Sequence, residues 1–132
     1  MEHLQELKNW LGGFGGWQDA EVDSTGTQPE DTGLFPMGVQ VVSNRGDVLG
    51  NVTRRLRQTY VLRRVAPRGE SAAAWLANFQ QWVLENAHTA PKFGALQTVR
   101  AEKGQLQKAA QTGLGIYAVT LTVEFTKEFT YG

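Results

Sequence analysis

The chain has 132 residues, 41% of them hydrophobic and 20% charged, which suits one soluble domain able to bury its own core. It has no cysteine, which excludes disulfide frameworks, thiolate zinc sites, iron–sulfur clusters and cysteine nucleophiles. Only His3 and His88 are available as imidazole ligands, and thirteen acids balance thirteen bases, so neither a multi-histidine metal site nor a simple polyanion binder is expected.

Taken in chain order, Leu4, Leu7, Leu11 and Phe14 recur at three- and four-residue spacing and predict an amphipathic first helix. Gly12, Gly13, Gly15 and Gly16 end it and leave Phe14 and Trp17 as anchors around a turn. Residues 18–27 read as a short polar strand, and residues 25–33 as a loop rich in glycine, proline and hydroxyl side chains. Met37 to Val42 is a β-branched run ending in the turn signal Ser43-Asn-Arg-Gly-Asp47. An extended segment follows from Leu49 to Val65. Leu56, Tyr60 and Leu62 lie on one face of it, and Arg55, Arg57 and Arg63 on the other.

A second helix, capped by Gly69 or Ser71, carries an apolar stripe of Trp75, Leu76, Phe79, Trp82 and Val83 and closes near His88. Leu96 to Leu106 reads as one polar strand with a bulge at Gly104. The final strand is the clearest: Tyr117, Val119, Leu121, Val123 and Phe125 alternate with Ala118, Thr120, Thr122 and Glu124. The order describes an α+β domain, one antiparallel or mixed sheet of about four to five strands covered on one face by two helices. No repeat or linker divides residues 1–132, and no run reaches transmembrane length, so the reading is a soluble, cytosolic chain.

Motifs for chemistry are missing. There is no P-loop and no G-x-S-x-G elbow, and the glycines at 12–16 follow a helix where a dinucleotide fold needs a strand. Asn51-Val-Thr53 matches a glycosylation acceptor without a secretory leader before it. The carboxylate pairs Glu21/Asp23 and Glu30/Asp31 lie in polar surroundings that would not shift a pKa for acid–base work. No catalytic, cofactor or metal residue is therefore assigned, and an enzyme is not expected.

Charge, however, is segregated. Met1 to Asn44 holds seven acids and one base, Arg45 to Arg68 seven arginines and one acid, and the remainder balances. Solvated faces or internal ion pairs account for such blocks in a monomer, and a head-to-tail interface accounts for them in a self-associating chain. The interface candidates are Glu21, Asp23, Glu30 and Asp31 against Arg54, Arg55, Arg57, Arg63 and Arg64, since arginine suits buried bidentate pairing. Nucleic acid is a weaker ligand for these arginines, because alternation spreads them over both strand faces and Tyr60 lies on the apolar one.

Three segments carry a resemblance: Glu70-Ser-Ala-Ala-Ala-Trp-Leu-Ala-Asn-Phe-Gln-Gln-Trp-Val83, Arg100-Ala-Glu-Lys-Gly-Gln-Leu-Gln107 and Thr112-Gly-Leu-Gly-Ile-Tyr-Ala-Val-Thr-Leu-Thr-Val-Glu-Phe125. Together with the element order they resemble the tail terminator, or tail-completion, proteins of long-tailed phages and prophages. The resemblance implies an α+β subunit of a hexameric ring that caps the tail-tube protein and joins it to the head–tail connector. DNA would pass the ring's channel without specific binding, with a sheath protein as a further neighbour. It also implies assembly in a bacterial cytoplasm, a final place in the virion or phage-like particle, and no cofactor or membrane. Another structural protein of the same module, such as a stopper or a sheath- or baseplate-associated subunit, remains an alternative, and a small-ligand or nucleic-acid-binding domain a more distant one.

Overall fold

The computed structural model describes residues 4–14, 17, 20–22, 31–109 and 113–130, with Glu21 and Thr130 described through their backbone only. Its elements are α1 (Leu4–Leu11), β1 (Glu21–Val22), β2 (Thr32–Gly46), β3 (Asn51–Pro67), α2 (Glu70–Asn86), a 3-10 turn (Ala87–Thr89), β4 (Ala95–Ala101), β5 (Gln105–Ala109) and β6 (Leu114–Thr130). This is an α+β fold in which β2 to β6 form an antiparallel sheet and the two-residue β1 pairs in parallel with the start of β2. The sheet order is β1-β2-β3-β6-β4, with β5 also on β6.

The centre of the sheet is the pairing of β3 with β6, continuous from Asn51 opposite Thr130 to Pro67 opposite Leu114. Side chains alternate across a strand, so this one register sorts both strands into two faces. Leu56, Tyr60 and Leu62 of β3 join Tyr117, Val119, Leu121, Val123 and Phe125 of β6 on the buried face, with Leu34 of β2 beside them. Arg55, Arg57 and Arg63 share the opposite face with Thr120, Thr122 and Glu124.

Both helices contribute to the cluster on the buried face. Leu7 and Leu11 of α1 and Ala72, Leu76, Phe79 and Val83 of α2 are buried there. The helical stripe is thus a core face, with Trp75 and Trp82 only partly covered at its margin. Phe14 and Trp17 anchor the turn as expected. The Phe14 ring centroid lies 5.3 Å from Trp75 and 5.2 Å from Phe79, and Trp17 lies 5.0 Å from Trp75. Edge-on and tilted aromatic packing of this kind stabilises beyond the area it buries.

The end of α2 is closed by α1. A helix terminus leaves its last carbonyls without partners. Here the Trp10 indole N–H donates to the Asn86 carbonyl at 3.2 Å and to Thr89 Oγ1 at 3.1 Å, while the Asn86 amide donates to the Trp82 carbonyl. At the other end Gly69 occupies the cap position with φ 139°, and no side chain caps it.

The observed elements differ from the sequence expectations in four places. The segment expected as one strand from Leu96 to Leu106 is two, β4 and β5, which pair with successive stretches of β6. Gly104 lies between them because a Cβ there would come within 2.9 Å of the Leu76 methyls of α2. It is a close-approach glycine and not a bulge in a continuous strand. The run from Met37 to Val42 is part of a strand starting at Thr32, which passes through Pro36 because an edge strand tolerates a missing N–H. The turn falls at Asp47–Gly50 and not at Ser43–Asp47. The Asp47 carboxylate there accepts the Leu49 and Asn51 N–H groups at 2.9 and 3.0 Å. Of the polar strand expected over residues 18–27, Glu21–Val22 is strand, and residues 18–19 and 23–27 lie outside the described residues.

Among the described residues no helix is long and apolar enough to cross a membrane. The core assignment carries a stability prediction. Phe79→Ala should cost about 3–5 kcal/mol in urea unfolding, because its ring is fully buried. Leu84→Ala, on the exposed side of the same helix, should stay within about 0.5 kcal/mol. Equal losses at the two positions would contradict the helix orientation.

Candidate subunit interface

The arginines of β3 divide as alternation requires. Arg55, Arg57 and Arg63 lie on the open face of the sheet, and Arg54 and Arg64 on the helix-bearing face. Each has a local partner within the chain. Arg54 Nε donates to Asn44 Oδ1 at 3.0 Å, and its guanidinium lies 5.0 Å from the Phe129 ring centroid. Arg63 lies over Phe35 at 4.4 Å and Arg64 over Trp75 at 4.1 Å. Such stacking holds the guanidinium plane while leaving its N–H edge to donate to acceptors.

Arg55 and Arg57 converge on Glu124. Arg57 Nε lies 3.4 Å from Glu124 Oε2 and Arg55 Nε 4.0 Å from Oε1. Arg100 of β4 approaches from the other side, its Nη1 2.9 Å from Oε2, and also meets Glu102 at 3.4 Å. Three adjacent strands therefore meet at one carboxylate, three guanidiniums facing two acids. The hydrogen bond from Arg100 is the chief reason the Glu124 carboxyl is held below its usual range. Partial burial opposes this and the charge of Arg57 assists it. Arg55 has a second task, donating from Nη1 to the Leu96 carbonyl at 2.6 Å and to Thr126 Oγ1 at 3.1 Å.

The acidic candidates are only partly placed. Asp23 and Glu30, with most of the loop expected over residues 25–33, lie outside the described residues. Glu21 is paired opposite Gly33, and its side chain is not described. Asp31 directly precedes β2, and its carbonyl accepts the Val65 N–H at 2.9 Å. Gly33 is opposite Arg63 and Thr32 opposite Arg64. Glu21 and Asp31 thus stand beside Arg63 and Arg64 of their own chain, while Arg54, Arg55 and Arg57 lie further along β3 toward its turn. The structure separates the arginine block into two groups that the sequence presents as one.

Sequence reasoning missed Glu124, Arg100, Leu96 and Asp47. A signal for Glu124 exists, since it is the only charged residue between Tyr117 and Thr126, on the polar side of the alternation. Asp47, the single acid within the arginine block, serves the turn, and its hydrogen bond from the Asn51 N–H is the main cause of its lowered pKa.

The described residues contain no group of three or more His, Asp or Glu placed to hold a metal ion. A cleft of about 290 Å³ between the end of β3 and the first turn of α2 is lined by Arg64, Ser71, Trp75 and Tyr117 among others, and the described residues of its wall include neither His88 nor a carboxylate. No protein-family model matches the chain, and no curated protein matches it.

The Glu124 cluster generates a pH prediction with a defined sign. A carboxyl whose pKa is depressed by folding contributes stability above its unfolded pKa and loses it as pH falls through the folded value. Glu124→Gln should therefore lower stability by about 1 kcal/mol at neutral pH. The deficit should close on acidification, once the wild-type carboxyl is protonated as well. A deficit of constant size, followed by thermal unfolding across the pH series, would contradict the ion-pair account.

Proposed function

We propose that this chain is a structural subunit that assembles, a tail terminator of a long-tailed phage or phage-like particle. It forms a hexameric ring that caps the tail tube and joins it to the head–tail connector. The observation that carries this reading is the unequal covering of the sheet. Among the described residues helices pack on one face only, the other face carries a tied arginine–glutamate network, and the distal part of β2 exposes Met37, Val39, Val41 and Val42. Exposed apolar residues grouped on a small domain mark a surface built to be covered. The three sequence segments resembling tail-terminator proteins lie on α2, on the β4–β5 connection and on β6, which build this sheet and its helix layer.

The mechanism is assembly and involves no bond making. A head-to-tail contact repeated around six copies closes when each step rotates by about sixty degrees. Apolar groups supply most of the affinity, and charge supplies register and approach. The excess of arginine on the open face suits a ring through which DNA passes without sequence recognition, since such contact is to phosphate alone. The tube protein and the connector are then the axial partners, with a sheath protein as a lateral one.

Native mass spectrometry over a concentration series, with negative-stain images of the largest species, tests the proposal. Six copies around a central hole are expected. A chain that is monomeric throughout would overturn the self-assembling ring.

A further inference from the structure

We infer that the outer edge of β2, from Val39 to Asn44, is completed by the outer edge of β4 from a second copy of this chain, with Leu96 as the apolar knob of the contact. This deepens the ring reading and rests on it, by naming the two surfaces that close each step.

The first surface is an open edge that carries no charge. Among the described residues β1 covers β2 only at Gly33 and Leu34, and from Pro36 onward β2 pairs with β3 alone. Edge strands are ordinarily protected by charge, proline or a bulge. Here Pro36 and the register shift after it interrupt the beginning of the exposed stretch, and a second shift falls between Val41 and Ser43, yet no charged residue occurs from Thr32 to Asn44. Val39 and Val41 are 57% and 50% exposed, on the same sheet face as the core but beyond the reach of the helices.

The second surface is the opposite edge. Leu96 is 80% exposed and has φ 52°, the only non-glycine residue described with positive φ. A leucine in the left-handed region is strained, and such strain persists where surrounding structure enforces it. Arg55 donates to the Leu96 carbonyl, which ties the backbone of this residue to the network around Glu124.

Direction and level then match. The strands β2, β3, β6 and β4 alternate in direction, so β2 and β4 run opposite ways. A second copy placed head-to-tail beside the first therefore brings its β4 antiparallel to β2. Across the sheet, Val41 is opposite Leu56 and Leu56 opposite Phe125. Leu96 occupies the register shift of β4 between Ala95, opposite Thr126, and Thr98, opposite Glu124. Leu96 and Val41 thus stand at the same level, and no slide along the strands is needed to join them. The alternative edge, β5, lies opposite residues 115–118 of β6, level with the start of β2 where β1 already sits.

The chain contains no cysteine, so a cysteine pair reports the contact without background. Val41→Cys and Leu96→Cys, both at exposed positions, are made singly and together, and each is checked for a wild-type thermal transition. Mild oxidation of the double variant should give a ladder of covalent oligomers, and a mixture of the two single variants should stop at the dimer. A Val41→Cys chain that links to itself as efficiently would overturn the head-to-tail pairing in favour of a symmetric one. An oligomer of unchanged size without links would overturn the edge assignment and leave the ring standing. Monomers without links would overturn both. As a second readout, Val41→Lys in the otherwise unaltered chain should abolish assembly, followed by native mass spectrometry, while the wild-type thermal transition is kept; persistence of assembly in Val41→Lys would count against the edge.

Discussion

The continuous pairing of β3 with β6 is the constraint on which the rest of the structure depends. Each strand is 17 residues long, and they are matched residue for residue. A sheet has a strict period of two, so a slip of one residue would turn the leucines and aromatics outward and the arginines into the core. The hydrophobic alternation of β6 prevents that slip, and the helices then have one face to cover. Because α1 and α2 are short relative to these strands, the ladder outruns its helical layer. The arm that results, with β2 on its outside, holds the exposed valines.

Electrostatics follow from the same register. Arg57 opposite Glu124 on β6, and Thr98 of β4 opposite the same residue, bring the guanidiniums of β3 and β4 to a single carboxylate. The positive block of the sequence is therefore partly neutralised inside the subunit by an acid from the far end of the chain. This changes what the arginines can do between subunits. Arg55 is tied to the Leu96 carbonyl, and Arg63 and Arg64 lie level with the start of β2, just after Asp31.

Much of the fold was legible because it rests on periodicity. The stripe Trp75, Leu76, Phe79 and Val83 and the alternation from Tyr117 to Phe125 each admit one amphipathic reading, and both lead directly to the core. What was not legible depends on contacts between distant residues. Nothing local to Lys103–Gln105 says that the chain turns there, because the reason is the approach of Leu76 to Gly104. Pro36 argues against a strand until the strand is known to be an edge. Asp47 reads as one acid among arginines until its carboxylate is seen to gather the N–H groups of Leu49 and Asn51. The grouping of Arg55, Arg57 and Arg100 around Glu124 required the sheet order, which no single segment encodes.

Amide hydrogen exchange at low and high protein concentration tests the account most directly, since it reads the central ladder and the open edges in one experiment. The amides of β3 and β6 should be the most protected at every concentration, and those of Val39–Asn44 and of β4 should gain protection only as subunits associate. Outer strands that exchange identically at all concentrations, or a β3–β6 ladder no better protected than its edges, would contradict it.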